Sequence, residues 1–369
     1  MLSFAEGQVI IMKKIPNELS KMMVVLRTIL LLAVIFNHTP DIYFMPSDLI
    51  QKNIFIYVNQ FVMNFVICAV PIYFIMSGYL LYKEDCTYGK LLNKKIYGLV
   101  IPYFLWQFFQ IIVYVIAAII PLTSQFFVDN NNFLNMQIKD IVCYILGVGK
   151  ISNGGMPVNG PLWYVRDLFI LIILSPLIKK VLDRYSFLVI TIFLFMMYNH
   201  TRIFFIRIDG PLFMSIGYLV CKYEDYILKL LNKFNLKSSI ITFSCLSIIS
   251  CVFNYNEYNM LSIFSAIILF IEIALNLQKN NRLFEWFKKL SKYSFFVYGL
   301  HTTVVIVMGK IFNKVAIWGN IAMSIIGYFT LFIFSVIFCY FIAIMVSRFL
   351  SGLFNLMSGK KFNYRYNIK

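Results

Sequence analysis

Ten stretches of this chain are close to continuously apolar, at residues 22–38, 54–81, 96–120, 161–178, 186–199, 208–221, 239–254, 260–277, 294–309 and 321–347. A helix needs about 20 mostly apolar residues to cross the hydrocarbon layer of a bilayer. Barrel strands would instead alternate in polarity over ~10 residues, and these runs do not. The chain is therefore expected to be all-α, a polytopic transmembrane helix bundle of about ten spans. Runs 186–199 and 208–221 are the shortest, so their ends are the least defined. Of 369 residues 60% are hydrophobic and only 13% charged, against about 25% charged in a soluble domain. That composition excludes a water-soluble globule, a disordered chain, a collagen-like fibre and a disulfide-rich secreted scaffold.

The net charge of +17 is explained by where the charges fall. With the N-terminus inside, the cytoplasmic segments hold 24 Lys and Arg and the outer segments seven, with Arg27 and Arg166 left within spans. Cytoplasmic loops collect basic residues, so the split predicts both termini in the cytoplasm and a multi-pass protein of the cell membrane. It also accounts for the basic character without a nucleic-acid partner. The chain divides into a cytoplasmic N-terminal segment (1–21), a membrane domain (22–347) and a basic cytoplasmic tail (348–369). Val9–Met12 is too short an apolar stretch for a cleavable signal peptide, and Met12-Lys13-Lys14 reads as an alternative start. Inner segments 222–237 and 279–293 mix Leu, Phe and Trp with Lys at helical spacing and are expected to lie in the interface. Seven cysteines without a CxxC pair and three histidines without clustering give no metal-site spacing; the cysteines are expected to be structural thiols.

The groups able to carry chemistry sit within or beside the spans. Arg27 and His38 lie eleven residues apart, which returns to within about 20° of one helical face. An arginine in a span costs on the order of 2.5–3.5 kcal/mol on insertion scales and normally faces a polar interior. Two readings stand side by side: Arg27 snorkels to the inner headgroups while His38 merely ends the helix, or the pair serves a site. Imidazole suits general-base work near neutrality. In PIYFIMSGYLLY, Pro71 is expected to free a carbonyl inside a span, and Ser77-Gly78 to allow close helix packing. Lys94 and Lys95 either flank a span in the ordinary way or hold a phosphate-bearing ligand at the inner mouth. Trp163 and Tyr164 belong to an aromatic belt or stack on a sugar. Adjacent Arg166 and Asp167 point about 100° apart and are expected to pair with other helices or face the outer water. His301 and Glu272 are intramembrane polar groups, satisfied core residues or site residues alike; Asp209 opens a span.

In their order these segments resemble the acyltransferase 3 family, integral membrane acyltransferases that place acetyl, succinyl or related groups on cell-surface sugars. The resemblance is carried by LRTILLLAVIFNH, PIYFIMSGYLLY, the basic pair running to IPYFLW, GPLWYVRDLF and YSFFVYGLH, across residues 22–310. It implies a cytoplasmic acyl-CoA donor, acetyl-CoA by the family's habit, with no resident cofactor, and a cell-surface or lipid-linked glycan acceptor. It further implies His38 as general base, Arg27 positioning the donor, Lys94 and Lys95 near the donor's phosphates, and His301 as the family's later histidine. Trp163, Tyr164 and Arg166 complete the candidate substrate-binding set. Two positions depart from the family pattern. Gly98 stands where a second basic residue is common, and Val24 where an acidic one is, so donor binding is arranged differently, with Lys94 as a substitute. No hydrolase-like extracellular segment is recognised, so transfer to the acceptor is expected to fall to the membrane domain or to another protein.

Two other classes use the same groups. A transporter or flippase of a sugar- or acyl-bearing substrate would employ Arg27, Arg166, His301 and Glu272 equally well, although no internal repeat is visible. A ligand-sensing domain without turnover would not need an imidazole on the Arg27 stripe. Neither the acyl group, the acceptor nor the oligomeric state follows from the sequence.

Overall fold

The computed structural model describes residues 15–41, 44–84, 86–120, 133–149, 155–231, 233, 235–252, 260–315 and 320–360. Lys13, Lys14, Lys150 and residues 361–369 of the basic tail lie outside the described residues, as do 121–132 and 150–154 of the 121–160 connection. The first helices are α1 (Asn17–Asn37), α2 (Leu49–Val66), α3 (Ala69–Lys83), α4 (Tyr88–Lys95), a π-helical turn over Ile96–Val100, α5 (Ile101–Ile119) and α6 (Ile138–Leu146). After them come α7 (Trp163–Tyr198), α8 (Asp209–Lys222), α9 (Glu224–Leu231), α10 (Leu236–Val252) and α11 (Met260–Leu277). The chain closes with α12 (Asn281–Ser291), α13 (Ser294–Val315), α14 (Ile321–Phe349) and α15 (Ser351–Met357). Among the described residues the only β-structure is a two-residue antiparallel ladder pairing Arg202 with Arg207 and Ile203 with Ile206. The protein is all-α.

The apolar runs form helices, and among the described residues six are long and apolar enough to cross a membrane unaided; the bent pair α9 with α10 would make a seventh. Runs 161–178 and 186–199 are joined in α7, whose backbone leaves helical geometry at Tyr185. The chain reverses there. Asp183 accepts hydrogen bonds from the Tyr218 hydroxyl and from Lys222 Nζ (3.3 Å), both at the end of α8, whereas Met197 lies with Trp163 and Asp209 around one cleft. Charges at Lys179, Lys180, Asp183 and Arg184 surround this bend, and the donors from Tyr218 and Lys222 hold the exposed Asp183 carboxyl below the ordinary carboxylate range. Pro71 falls in the first turn of α3, and α2 and α3 run together as one apolar span over Leu49–Lys83. The proline therefore lies inside a span, as expected, just after the helix breaks at Ile67 and Cys68. Pro176 interrupts α7 internally, and Ser175 Oγ donates to the Ile172 carbonyl (2.7 Å) that a residue-176 N–H would otherwise serve.

Two hydrophobic cores share α1. One gathers Leu26 and Leu30 with α2, α3, α7, α8 and α11, and the other gathers Leu31 and Ile35 with α5, α13, α14 and α15. The first core is tightest where α3 crosses α8. A Cβ on Gly217 would lie 2.3 Å from Ile75 O and 3.0 Å from Gly78 Cα, so only glycine lets these backbones meet. The expected close packing at Ser77-Gly78 is this crossing. Toward the N-terminal end of α1, α12 packs along it, with Phe287 buried, its carbonyl accepting from Thr28 Oγ1 (3.4 Å), and Lys21 over the Phe284 ring. The first helix therefore lies at the seam of two helix packs, and both polar groups of its stripe open into that seam.

Candidate active site

His38 caps the C-terminus of α1, and its ring lies beside that of His301 on α13, with centroids 5.4 Å apart and planes tilted by 48°. His301 is fully buried, and its Nδ1 lies 2.6 Å from the Tyr298 carbonyl oxygen. A carbonyl only accepts, so Nδ1 carries the hydrogen and Nε2 of the neutral ring carries the lone pair. That Nε2 is buried and has no hydrogen-bond partner among the described residues. One imidazole thus holds a preset acceptor nitrogen in an apolar setting, next to a second imidazole.

Arg27 lies on the same stripe of α1, about 16 Å closer to the N-terminal end. Its neighbours Leu26 and Thr28 are 1% and 0% exposed, yet Arg27 itself is exposed. That exposure is on the face bordered by Tyr73 and Tyr164. Tyr73 donates to the Arg27 carbonyl (2.8 Å), and the guanidinium is within electrostatic reach of the Tyr73 and Tyr164 hydroxyls. Tyr164 meets Ser77 (3.0 Å between oxygens), stacks edge-on against Phe74 and faces Tyr298 at 6.4 Å. Half-buried Tyr73, Tyr164 and Tyr298 therefore line the way from Arg27 to the histidine pair. The Arg27 side chain makes no hydrogen bond or ion pair among the described residues.

On the other side of the pair an open cleft of about 710 Å³ has His38 in its wall. Its lining is rich in neutral polar groups: Asn37, Thr39, Asn59, Gln60 and Asn64, with Trp163 and the Arg207–Asp209 ion pair (2.8 Å) at one side. Asp41, also in the wall, accepts from Asn59 Nδ2 (2.8 Å). Amides beside an indole suit a hydroxyl-rich, uncharged ligand.

The remaining candidates have distinct placements. Trp163 lies under the Arg207 guanidinium, 4.5 Å from its ring centre, while Tyr164, about 100° round the helix, faces Tyr73 and Tyr298. Arg166 donates to the carbonyls of Leu146, Gly147 and Gly155 (2.8–3.0 Å) and pairs with Asp167 at 2.7 Å. Asp167 is fully buried and accepts the Arg207 backbone N–H. The expectation that these adjacent residues would look to other helices or the outer water is corrected: the arginine stem is long enough to fold back onto its neighbour. Lys94 is held by Glu84 at 2.5 Å, whereas Lys95, half-buried at the edge of the π-helical turn, makes no hydrogen bond or ion pair among the described residues. The structure therefore gathers His38, His301 and Tyr164, with Arg27 farther along the same stripe of α1, and places Lys94, Lys95 and Arg166 elsewhere. Glu272 is buried in α11 with no partner for Oε1.

Several residues of the site were not singled out from sequence. Tyr73 and Ser77 are four apart on α3 and Tyr298 is three before His301, so helical spacing carried a signal for each. Asn159 carried a weaker one, in the loop SNGGMPVNGPLW. It is buried, its N–H donates to Gln107 Oε1 and its Nδ2 to the Gly299 carbonyl (both 2.8 Å), which stitches that loop beside His301.

Comparison with known proteins adds an independent line. A family model described as an acyltransferase domain (Acyl_transf_3) matches residues 23–344, most of the chain. The succinoglycan biosynthesis protein ExoH of Rhizobium meliloti (strain 1021) is 31% identical over 121 residues, covering 32% of this chain and 30% of that protein. The chain thus matches less than a third of the length of this relative. No solved structure matches.

Proposed function

The chain belongs to this acyltransferase family, and from that premise we propose that it is a multi-pass O-acyltransferase of the cell membrane. In this reading it moves an acyl group, acetyl in the first instance, from cytoplasmic acyl-CoA to a hydroxyl of a cell-surface or lipid-linked sugar. The observation that carries the reading is the position of His38, in the wall of the amide-rich cleft and 5.4 Å from a tautomerically fixed His301. The similarity to a succinoglycan biosynthesis protein supports a glycan as acceptor.

The chemistry follows from those positions. A sugar hydroxyl in the cleft gives its proton to a nitrogen of His38 as its oxygen bonds to the thioester carbon. The carbon–sulfur bond then breaks, and the departing thiolate takes that proton back from His38. His301 positions His38 by ring contact: the two imidazoles lie side by side with centroids 5.4 Å apart, and the fixed His301 ring limits how the His38 ring can turn. Trp163 and the cleft amides orient the sugar. Arg166 acts at a distance, by clamping the outer loops that shape the cleft. Ten crossings with both termini cytoplasmic complete the reading; the 24 to seven division of basic residues supports it, as does the reversal of α7 at Tyr185.

The test is transfer of labelled acetyl from acetyl-CoA into the glycan and lipid-linked fractions of membranes containing the protein, beside His38→Ala at equal abundance. Label incorporated by the wild type and lost in the variant is expected. Incorporation that survives in His38→Ala removes His38 as the base. Absence of transfer from both acetyl- and succinyl-CoA removes the donor assignment.

A further inference from the structure

Resting on that transferase reading, we infer that Asp41 selects the acceptor: its carboxylate anchors two neighbouring hydroxyls of an uncharged sugar unit and turns away sugars that are themselves anionic. Asp41 follows His38 by three residues, which sets their Cα atoms at most ~11 Å apart, and both residues stand in the wall of the one cleft. A sugar chain can therefore give one hydroxyl to His38 while a diol on the same or the next unit meets Asp41. The carboxylate is fixed in place. It only accepts, so the Asn59 atom 2.8 Å from Asp41 Oδ2 is Nδ2, which leaves Asn59 Oδ1 to accept from the Tyr328 hydroxyl (3.1 Å). Tyr328 is buried on α14 and meets Phe36 edge-on. The Asp41 carbonyl accepts the N–H of the fully buried Phe44 (2.9 Å), which pins the backbone as well.

The charges of the cleft point the same way. With His38 neutral, as a base must be, the charged residues of the wall are Asp41, Arg207 and Asp209, and the last two offset each other at 2.8 Å. One negative charge remains, on Asp41, which pairs with no cation among the described residues. Its Oδ1 accepts no hydrogen bond among them, and Oδ2 keeps a lone pair beyond the one given to Asn59. Hydroxyls on adjacent carbons suit such a pair of oxygens, as the two parallel N–H groups of a guanidinium do. An anionic sugar would bring a like charge to the same oxygens with no cation to offset it, and that repulsion gives the selection. Asn37 and Gln60, whose side chains make no hydrogen bond among the described residues, stand in the same wall for the remaining hydroxyls.

The test is binding of trisaccharides of glucose, galactose and mannose to the purified full-length protein in detergent. Each is measured beside its uronate counterpart, which has a carboxylate in place of each primary hydroxyl, so a pair keeps its ring diols and differs in charge. Loss of a charge-assisted hydrogen bond is worth about tenfold to a hundredfold in affinity. The wild type is expected to bind at least one neutral trisaccharide, and to bind the uronate of that pair at least about tenfold more weakly. Asp41→Asn keeps an acceptor for Asn59 but loses the charge; the neutral sugar should weaken by about tenfold to a hundredfold and the gap to its uronate should narrow. Asp41→Glu, with the same charge on a longer arm, should keep the preference for the neutral sugar. Wild-type protein that binds no neutral trisaccharide, or binds a uronate as tightly as its neutral partner, overturns the inference. So does monodisperse Asp41→Asn with an unchanged preference. The measurement uses no acyl donor, so acyl transfer can fail, and with it the transferase reading, while sugar selection by Asp41 stands.

Discussion

If His301 acts by orienting His38, removing both rings should be hardly worse than removing one. General-base catalysis contributes about 10²- to 10⁴-fold, so His38→Ala is expected to slow transfer by that factor, about 2.7–5.5 kcal/mol at 1.36 kcal/mol per tenfold. His301→Asn keeps a polar group near the Tyr298 carbonyl but offers no basic nitrogen, and a loss of at least ~10² is expected from a misoriented His38. Independent contributions would multiply to 10⁴ or more in the double variant. Two rings 5.4 Å apart in one buried site should instead behave as a unit, as groups in contact do. The double variant is then expected within about threefold of the slower single variant. The assay is the initial rate of labelled acetyl incorporation, normalised to monodisperse protein recovered by size exclusion so that folding losses do not enter. Penalties that multiply would refute the positioning role and leave two separate histidine functions.

Three further outcomes follow from the packing and topology. Gly217→Ala sets a methyl group 2.3 Å from a backbone oxygen that cannot rotate away, so the α3–α8 crossing must open at a cost of about 1–3 kcal/mol or more; the thermal midpoint in detergent should fall, and an unchanged midpoint would contradict the crossing. Arg166→Ala leaves the fully buried Asp167 carboxylate unpaired and frees three loop carbonyls, a loss of about 3–5 kcal/mol visible as a large drop in the same midpoint. Asp167→Asn with Arg166→Ala should recover part of it, since the unpaired charge is gone. For the topology, single cysteines replacing Lys52 and Lys90 in a cysteine-free background should react with an impermeant thiol reagent differently. Position 52 should label from outside intact cells and position 90 only after permeabilisation; the reverse pattern would invert the proposed orientation.

What could be seen in the sequence was whatever one helix carries by itself. Each apolar run holds its own membrane signal, and run 260–277 coincides with α11 to the residue. Within helices, periodicity placed Arg27 and His38 on one stripe, and the same arithmetic applied to Tyr73 with Ser77 or Tyr298 with His301 would have extended the site. Relations between helices had no such signal. His38 and His301 stand at opposite ends of the chain, and their meeting depends on α1 lying between two cores, through Leu26 and Leu30 on one side and Leu31 and Ile35 on the other. The partners of charged groups were not legible for a related reason. Lys94 pairs with Glu84, ten positions away, and Arg166 meets the carbonyls of Leu146, Gly147 and Gly155, since irregular loops must place their carbonyls somewhere. Arg27, mid-helix on α1 and bordered by the phenols of Tyr73 and Tyr164, meets neither a loop carbonyl nor a carboxylate among the described residues, because its neighbours three and four positions away on the helix, Met23, Val24, Leu30 and Leu31, are all apolar.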